Sequence, residues 1–165
     1  MKIVLSLSVF ASLSLAGAVS AEPVASTHAS PLLGSWALDI SQMPVPAEAR
    51  PKAVTITFAD AGEGKWTTRV LIVGNDASKR DMTSAYQRNG SAVPIEGDQI
   101  EADTVAVATP TPNIMVMAMA KDRHPASTRV YTVSDDGNIM VEEAVTYDDN
   151  GMPRIRTNHF SRIRG

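Results

Sequence analysis

The chain contains no cysteine. That excludes disulfides, thiolate metal sites and a cysteine nucleophile, so core packing alone must hold a domain together. Histidine is scarce: His28, His124 and His159 stand far apart, no two at ligand spacing, and no metal is expected. The aspartate pairs in "SDDGN" and "YDDNG" stop short of the longer acidic loop that calcium uses, and read as turns. No Gly-x-Ser-x-Gly elbow is present to carry a serine nucleophile, and no cofactor is called for.

Positive charge is also short. Of 15 Lys and Arg, one (Lys2) lies in the leader described next, leaving 14 against 18 Asp and Glu. With no basic cluster before the C-terminus, there is no surface to track phosphates, and nucleic acid is not an expected partner.

Only one long apolar run occurs. It extends from Ile3 to about Leu15 behind Lys2, is broken by Ser6, Ser8, Ser12 and Ser14, and falls short of the ~20 residues needed to span a bilayer. Val19-Ser20-Ala21 then supplies the small-x-small pattern of a signal peptidase site. Residues 1–21 are read as a signal peptide cleaved after Ala21, leaving a soluble product with no membrane span. Residues 22–31, poor in hydrophobic side chains, read as a flexible linker in which His28 is solvated. Residues 32–165 are long enough for one domain with its own core. An exported chain without cysteine points to a bacterial periplasm, or to secretion from such a cell.

From Trp36 onward the period is two. "AVTITFAD" sets Val54, Ile56 and Phe58 against Thr55 and Thr57, and "WTTRVLIV" follows the turn "AGEGK". "STRVYTVS", "NIMVEEAVTY" and "PRIRTNHFSRI" continue the pattern, the last two joined by "DDNG", whose Asn150-Gly151 suits a tight hairpin. "RNGS" at Arg88 reads as a turn more simply than as a glycosylation sequon. Prolines bracket Ala47-Glu48-Ala49 and allow one helical turn there at most. The expectation is an all-β domain: eight to nine antiparallel strands, an up-and-down barrel that buries its own edges.

Four stretches, in this order, resemble the bacterial exported lipocalin-like proteins, small calycin-type domains mostly without an assigned activity. They are "GSWALDISQ", similar to the opening Gly-Thr-Trp-x-Leu-Asn; "AYQRNGSAVPIEG"; "STRVYTVSDDGNIMVEE"; and the closing "YDDNGMPRIRTNHFSRI". The likeness covers Gly34 to Ile163, departing at Asn89-Gly90-Ser91-Ala92, where the family carries an acidic or amide residue and then lysine. It implies a lipocalin-like barrel in which Gly34 and Trp36 open the first strand at the closed end. Arg162 from the last strand would cover the indole. That role is structural, and a guanidinium on an indole gains roughly 0.5–2 kcal/mol.

Candidate chemistry lies on three strands. Met115, Met117 and Met119 share one face of "NIMVMAMAK" and either fill the barrel or form an adaptable apolar cavity wall. Arg129 and Tyr131 share a face, as do Tyr86 and Arg88. Pointing inward, an Arg–Tyr pair would hold a carboxylate, although surface or barrel-end placement is the plainer expectation. A two-residue turn at Asn150-Gly151 would set Glu142 opposite His159, Glu143 opposite Asn158 and Tyr147 opposite Arg154. A carboxylate beside histidine is an acid–base pair; a register two residues away gives an ordinary Glu143–Arg156 pair, and a solvated face is again the plainer outcome. His124 in "DRHP" is a lesser acid–base candidate on a hairpin loop.

Three functions remain open. The first is binding of a small apolar or amphipathic molecule by Met115, Met117, Met119, Tyr86, Arg129 and Tyr131. The second is an isomerase or lyase run by His159 with Glu142, or by Tyr131 with Arg129. The third is a solid-cored envelope protein that contacts other proteins. Which faces point inward decides among them.

Overall fold

The computed structural model describes residues 29–164, so the expected signal peptide 1–21, most of the linker and His28 lie outside the described residues. Eleven strands form one sheet. They are β1 (Gly34–Leu38), β2 (Ala53–Gly62), β3 (Lys65–Val73), β4 (Lys79–Gln87), β5 (Asn89–Pro94), β6 (Glu96–Gly97), β7 (Thr104–Thr111), β8 (Ile114–Lys121), β9 (His124–Val133), β10 (Ile139–Tyr147) and β11 (Pro153–Ile163). The order across the sheet is β5-β7-β8-β9-β10-β11-β1-β2-β3-β4-β6, and every pairing is antiparallel.

This is the expected up-and-down barrel. The last strand returns to the first, with Trp36 opposite Arg162. At the other seam the chain itself crosses: β4 pairs with β3, the backbone bends at Arg88, and β5 pairs with β7. Eleven strands rather than eight or nine arise from that bend and from β6, a two-residue patch on β4. The "RNGS" stretch is therefore the corner between two halves of one bent strand, with Asn89 Oδ1 accepting from the Ser91 amide.

The alternation seen in the sequence sets which side chains enter. On β2, Ile56 and Phe58 are buried and point in, whereas Thr55 and Thr57 point out. On β8 the methionines point in, with Met115 and Met117 buried. The segment between β1 and β2 holds two 3-10 turns, Ile40–Gln42 and Ala47–Ala49, the second being the single turn the prolines allow. Among the described residues no helix is long and apolar enough to cross a membrane.

The hairpin joining β10 and β11 departs from expectation. Gly151 N donates to Asp148 O at 2.8 Å and Asp148 N to Met152 O at 3.0 Å, so the loop is three residues, 149–151, rather than two. Gly151 takes the left-handed conformation at φ +76 that ends such a loop. An odd loop moves the register by one step and turns β11 over relative to β10. Glu142 is opposite Asn158, Glu143 opposite Thr157 and Tyr147 opposite Pro153. Neither register read from the sequence occurs. His159 sits opposite Val141 on the outer face, and the proposed Glu142–His159 acid–base pair does not form.

Candidate functional site

One end of the barrel is solid. Trp36 is fully buried, donates Nε1–H to Leu32 O at 2.9 Å, and lies 4.1 Å beneath the Arg162 guanidinium. Arg162 donates Nε to Gly137 O at 2.5 Å and Nη1 to Leu33 O at 2.7 Å, and Nη2 reaches Pro31 O. Burial lowers its pKa. Gly34, at φ +123, leaves the room: a Cβ there would stand 2.6 Å from Arg162 Nη1. Ser30 Oγ donates to Pro112 O at 2.6 Å, so the end of the expected linker is tied to the same end of the barrel. A second pair that the sequence did not suggest, Arg88 over Trp66 at 4.3 Å, joins this plug.

Tyr86 and Met115 belong to the plug as well. The Tyr86 ring is buried, its hydroxyl 2.5 Å from Thr68 Oγ1 and 4.0 Å from Met115 Sδ. Neither residue lines the cavity described next, so their expected place in a ligand site is not where the fold puts them.

Beyond the plug lies a cavity of about 270 Å³. Its two sides differ in chemistry. The wall from β1 to β4 is mainly apolar, with Leu38, Val54, Ile56, Val70, Ile72 and Met82, interrupted by Thr68, Thr83, Ser84 and Arg80. Met117 and Met119 line it from β8. The wall from β9 to β11 carries Arg129, Tyr131, Glu142, Arg156 and Asn158. Arg129 and Tyr131 therefore face inward, against the plainer expectation, because β9 buries Ser127, Tyr131 and Val133 on that face.

The polar wall is organised around Glu142, whose side chain is 1% exposed. Its Oε1 accepts from Arg129 Nη1 at 2.9 Å and from Tyr131 Oη at 2.7 Å; its Oε2 accepts from Asn158 Nδ2 at 2.5 Å. Glu101, just ahead of β7, takes the other arm of Arg129 and the Ser127 hydroxyl. Arg80 on β4 also lines the cavity and pairs with Asp98 at 2.8 Å. These neighbours fix the charges. Burial alone would lower the Arg129 pKa, but the adjacent Tyr131 oxygen and the Glu142 and Glu101 carboxylates outweigh it and raise it. Burial would raise the Glu101 pKa, yet the charge and bonds of Arg129 and the Ser127 hydroxyl bring it below the usual carboxylate range. The hydrogen bond to Asp98 raises Arg80.

Arg156 differs from the other two arginines. It lines the cavity, its buried Nε has no partner, and it makes no ion pair among the described residues. The Nε atoms of Arg80 and Arg129 and the Oδ1 of Asn158 are likewise buried without partners. Arg80, Glu101, Arg156 and Asn158 escaped the sequence reading as cavity residues. Inward alternation along "RIRTNHF" could have found the last two had the loop length been known.

Both Glu142 oxygens are committed to three donors, and His159 is outside the barrel. His124 makes only a contact to Asp122 O in an exposed hairpin loop. What the site offers is a cationic group and unpaired polar atoms at one side of an apolar chamber.

Burial pushes the Tyr86 phenol up to about 12, and burial together with Glu142 holds Tyr131 well above its usual range. An unfolded tyrosine ionises near pH 10. A raised folded pKa gives stability that is full below the unfolded value and lost as pH rises through the folded one. The melting temperature is expected to be level just below about pH 10 and to fall steeply between about 10 and 12. In parallel, phenolate absorbance should show two of the three tyrosines ionising only as the barrel opens. Smooth titration of all three while the fold persists would contradict the burial of Tyr86 and Tyr131.

A closed antiparallel meander with a plugged end and a lined chamber defines a calycin-type β-barrel. Two solved structures share that fold. A point variant of the fluorescent protein UnaG superposes with a TM-score of 0.54 at 13% identity, covering 82% of this chain and 98% of its own. Wild-type UnaG gives 0.51 at 14%, covering 79% and 96%. No protein-family model and no curated protein sequence matches the chain. The calycin part of the resemblance is thereby borne out as a fold, while no family model carries the narrower placement among bacterial exported proteins.

Proposed function

We propose that the protein binds a small amphipathic acid in the barrel cavity, without catalysis, after export to a bacterial periplasm. The observation that carries the reading is Arg156: a cation without a carboxylate partner among the described residues, lining a largely apolar chamber of about 270 Å³. An unpaired charge in such a place is costly and favours an anion that can share the chamber. The chamber's size, at the low end of ligand pockets, suits a short acyl or comparable chain. The apolar wall takes the chain, and Arg156 takes the head. The leader "MKIVLSLSVFASLSLAGAVSA" and the likeness to exported lipocalin-like chains support the compartment.

Calorimetric titration of residues 22–165 with decanoate, decanol and decylamine tests the ligand class. Decanoate is expected to bind, decylamine not to, and Arg156→Met to weaken decanoate by about tenfold, the equivalent of one charge-assisted hydrogen bond. Equal binding of the amine and the acid would sink the reading. The N-terminus of the protein recovered from the periplasm of an expressing bacterium should be Glu22; retention of the intact leader in the cytoplasm would overturn export.

A further inference from the structure

Asn158 has one half of its amide committed and the other half idle. It is 6% exposed and lies on β11 directly opposite Glu142. Its Nδ2 donates to Glu142 Oε2, and its Oδ1, shielded from water, has no partner. The orientation is forced, because turning the amide over would set its oxygen against a carboxylate oxygen. A buried carbonyl oxygen left without a donor costs free energy, and among the described residues nothing supplies one. Arg156 is two residues away on the same inward face of the strand, roughly 6–7 Å along it. A cation that wants an anion and an acceptor that wants a donor thus stand side by side in one cavity wall.

We infer that Asn158 is a specificity-determining residue: the acid that Arg156 receives is one carrying a hydroxyl or amide N–H close to its carboxylate, donated to Asn158 Oδ1. This rests on the reading of the cavity as an acid-binding site and narrows it. A plain acyl acid satisfies Arg156 and leaves Oδ1 orphaned. A β-hydroxy acid carries its hydroxyl a few bonds from its carboxylate, so one molecule offers an anion to Arg156 and a donor to its neighbour Asn158. Sites built around a polar partner discriminate strongly against the analogue that lacks it, since the protein atom is then left unpaired.

The test is a matched pair of probes, decanoate and β-hydroxydecanoate, titrated into the full mature chain. The hydroxy acid is expected to bind about tenfold or more tightly, with one enantiomer preferred. In Asn158→Ala the advantage should disappear, the two acids then binding with equal affinity; a merely structural role would weaken both acids and keep their ratio. If that variant does not fold, the side-chain amide resonances of ¹⁵N-labelled wild-type protein give the same answer. The Asn158 pair should shift with β-hydroxydecanoate and not with decanoate. Equal affinities for the two acids overturn the inference and leave acid binding standing. Binding of neither acid overturns both.

Discussion

Glu142→Ala is expected to cost about 3–5 kcal/mol of folding stability, the range seen when one member of a buried ion pair is removed. Glu142 is the acceptor for Arg129, Tyr131 and Asn158 together. Its loss leaves a phenol and an amide without partners, each at a cost of about 1–3 kcal/mol. Arg129 keeps Glu101, so it is not orphaned outright, and that places the effect toward the lower end of the range. Against a total stability of order 5–15 kcal/mol, such a loss moves the denaturant midpoint a long way. The discriminating experiment is the pair cycle. Arg129→Met with Glu142→Leu should cost less than the sum of the two single changes, because both buried charges leave together while Tyr131 and Asn158 stay without their acceptor. Additive losses in the double variant would mean that the two side chains are not energetically joined. Glu142→Gln keeps the shape and one oxygen, and is expected to fall between wild type and Glu142→Ala.

The same residues show where the sequence could be read and where it could not. Period-two alternation from Trp36 onward is a local property of each strand, so the barrel and the division of each strand into two faces were legible. Gly34, Trp36 and Arg162 were placed by a resemblance, and their packing agrees with it. The polar wall was not legible, because it depends on whether the β10–β11 loop holds two residues or three. Asn150-Gly151 fits the two-residue turn, yet Asp148, accepting from both Asn150 N and Met152 N, stabilises the longer loop. That one step places Asn158, rather than His159, against Glu142. The inward turn of Arg129 and Tyr131 was likewise hidden: "STRVYTVS" carries a polar residue on each face, so alternation alone assigns neither face to the core. Glu101 and Arg80 are remote from the hairpin in sequence, and only barrel closure brings them to it.

Arg162→Ala should be the other severe change, and its partner Gly34 makes the cause separable. The guanidinium stacks on Trp36 at 4.1 Å and satisfies the carbonyls of Gly137, Leu33 and Pro31. Hydrogen bonds to a charged group contribute about 1.5–3 kcal/mol each without adding fully, so a loss of about 3 kcal/mol or more is expected. Trp36 should then meet water. In a Trp66→Phe background, where Trp36 is the one remaining indole, its emission moves to longer wavelength while the protein is still folded. Gly34→Ala attacks the same contact from the other side. In the wild-type chain it brings both backbone strain at φ +123 and a methyl 2.6 Å from Arg162 Nη1. The strain alone costs about 1–3 kcal/mol. With Arg162 already alanine, the collision is gone and only the strain remains, so Gly34→Ala must cost less in that background than in wild type. A cost that is the same in both backgrounds would show that Gly34 is required for its conformation and not to admit the guanidinium. The opening Gly-x-Trp would then be a feature of strand β1 alone rather than half of a lock completed by the last strand.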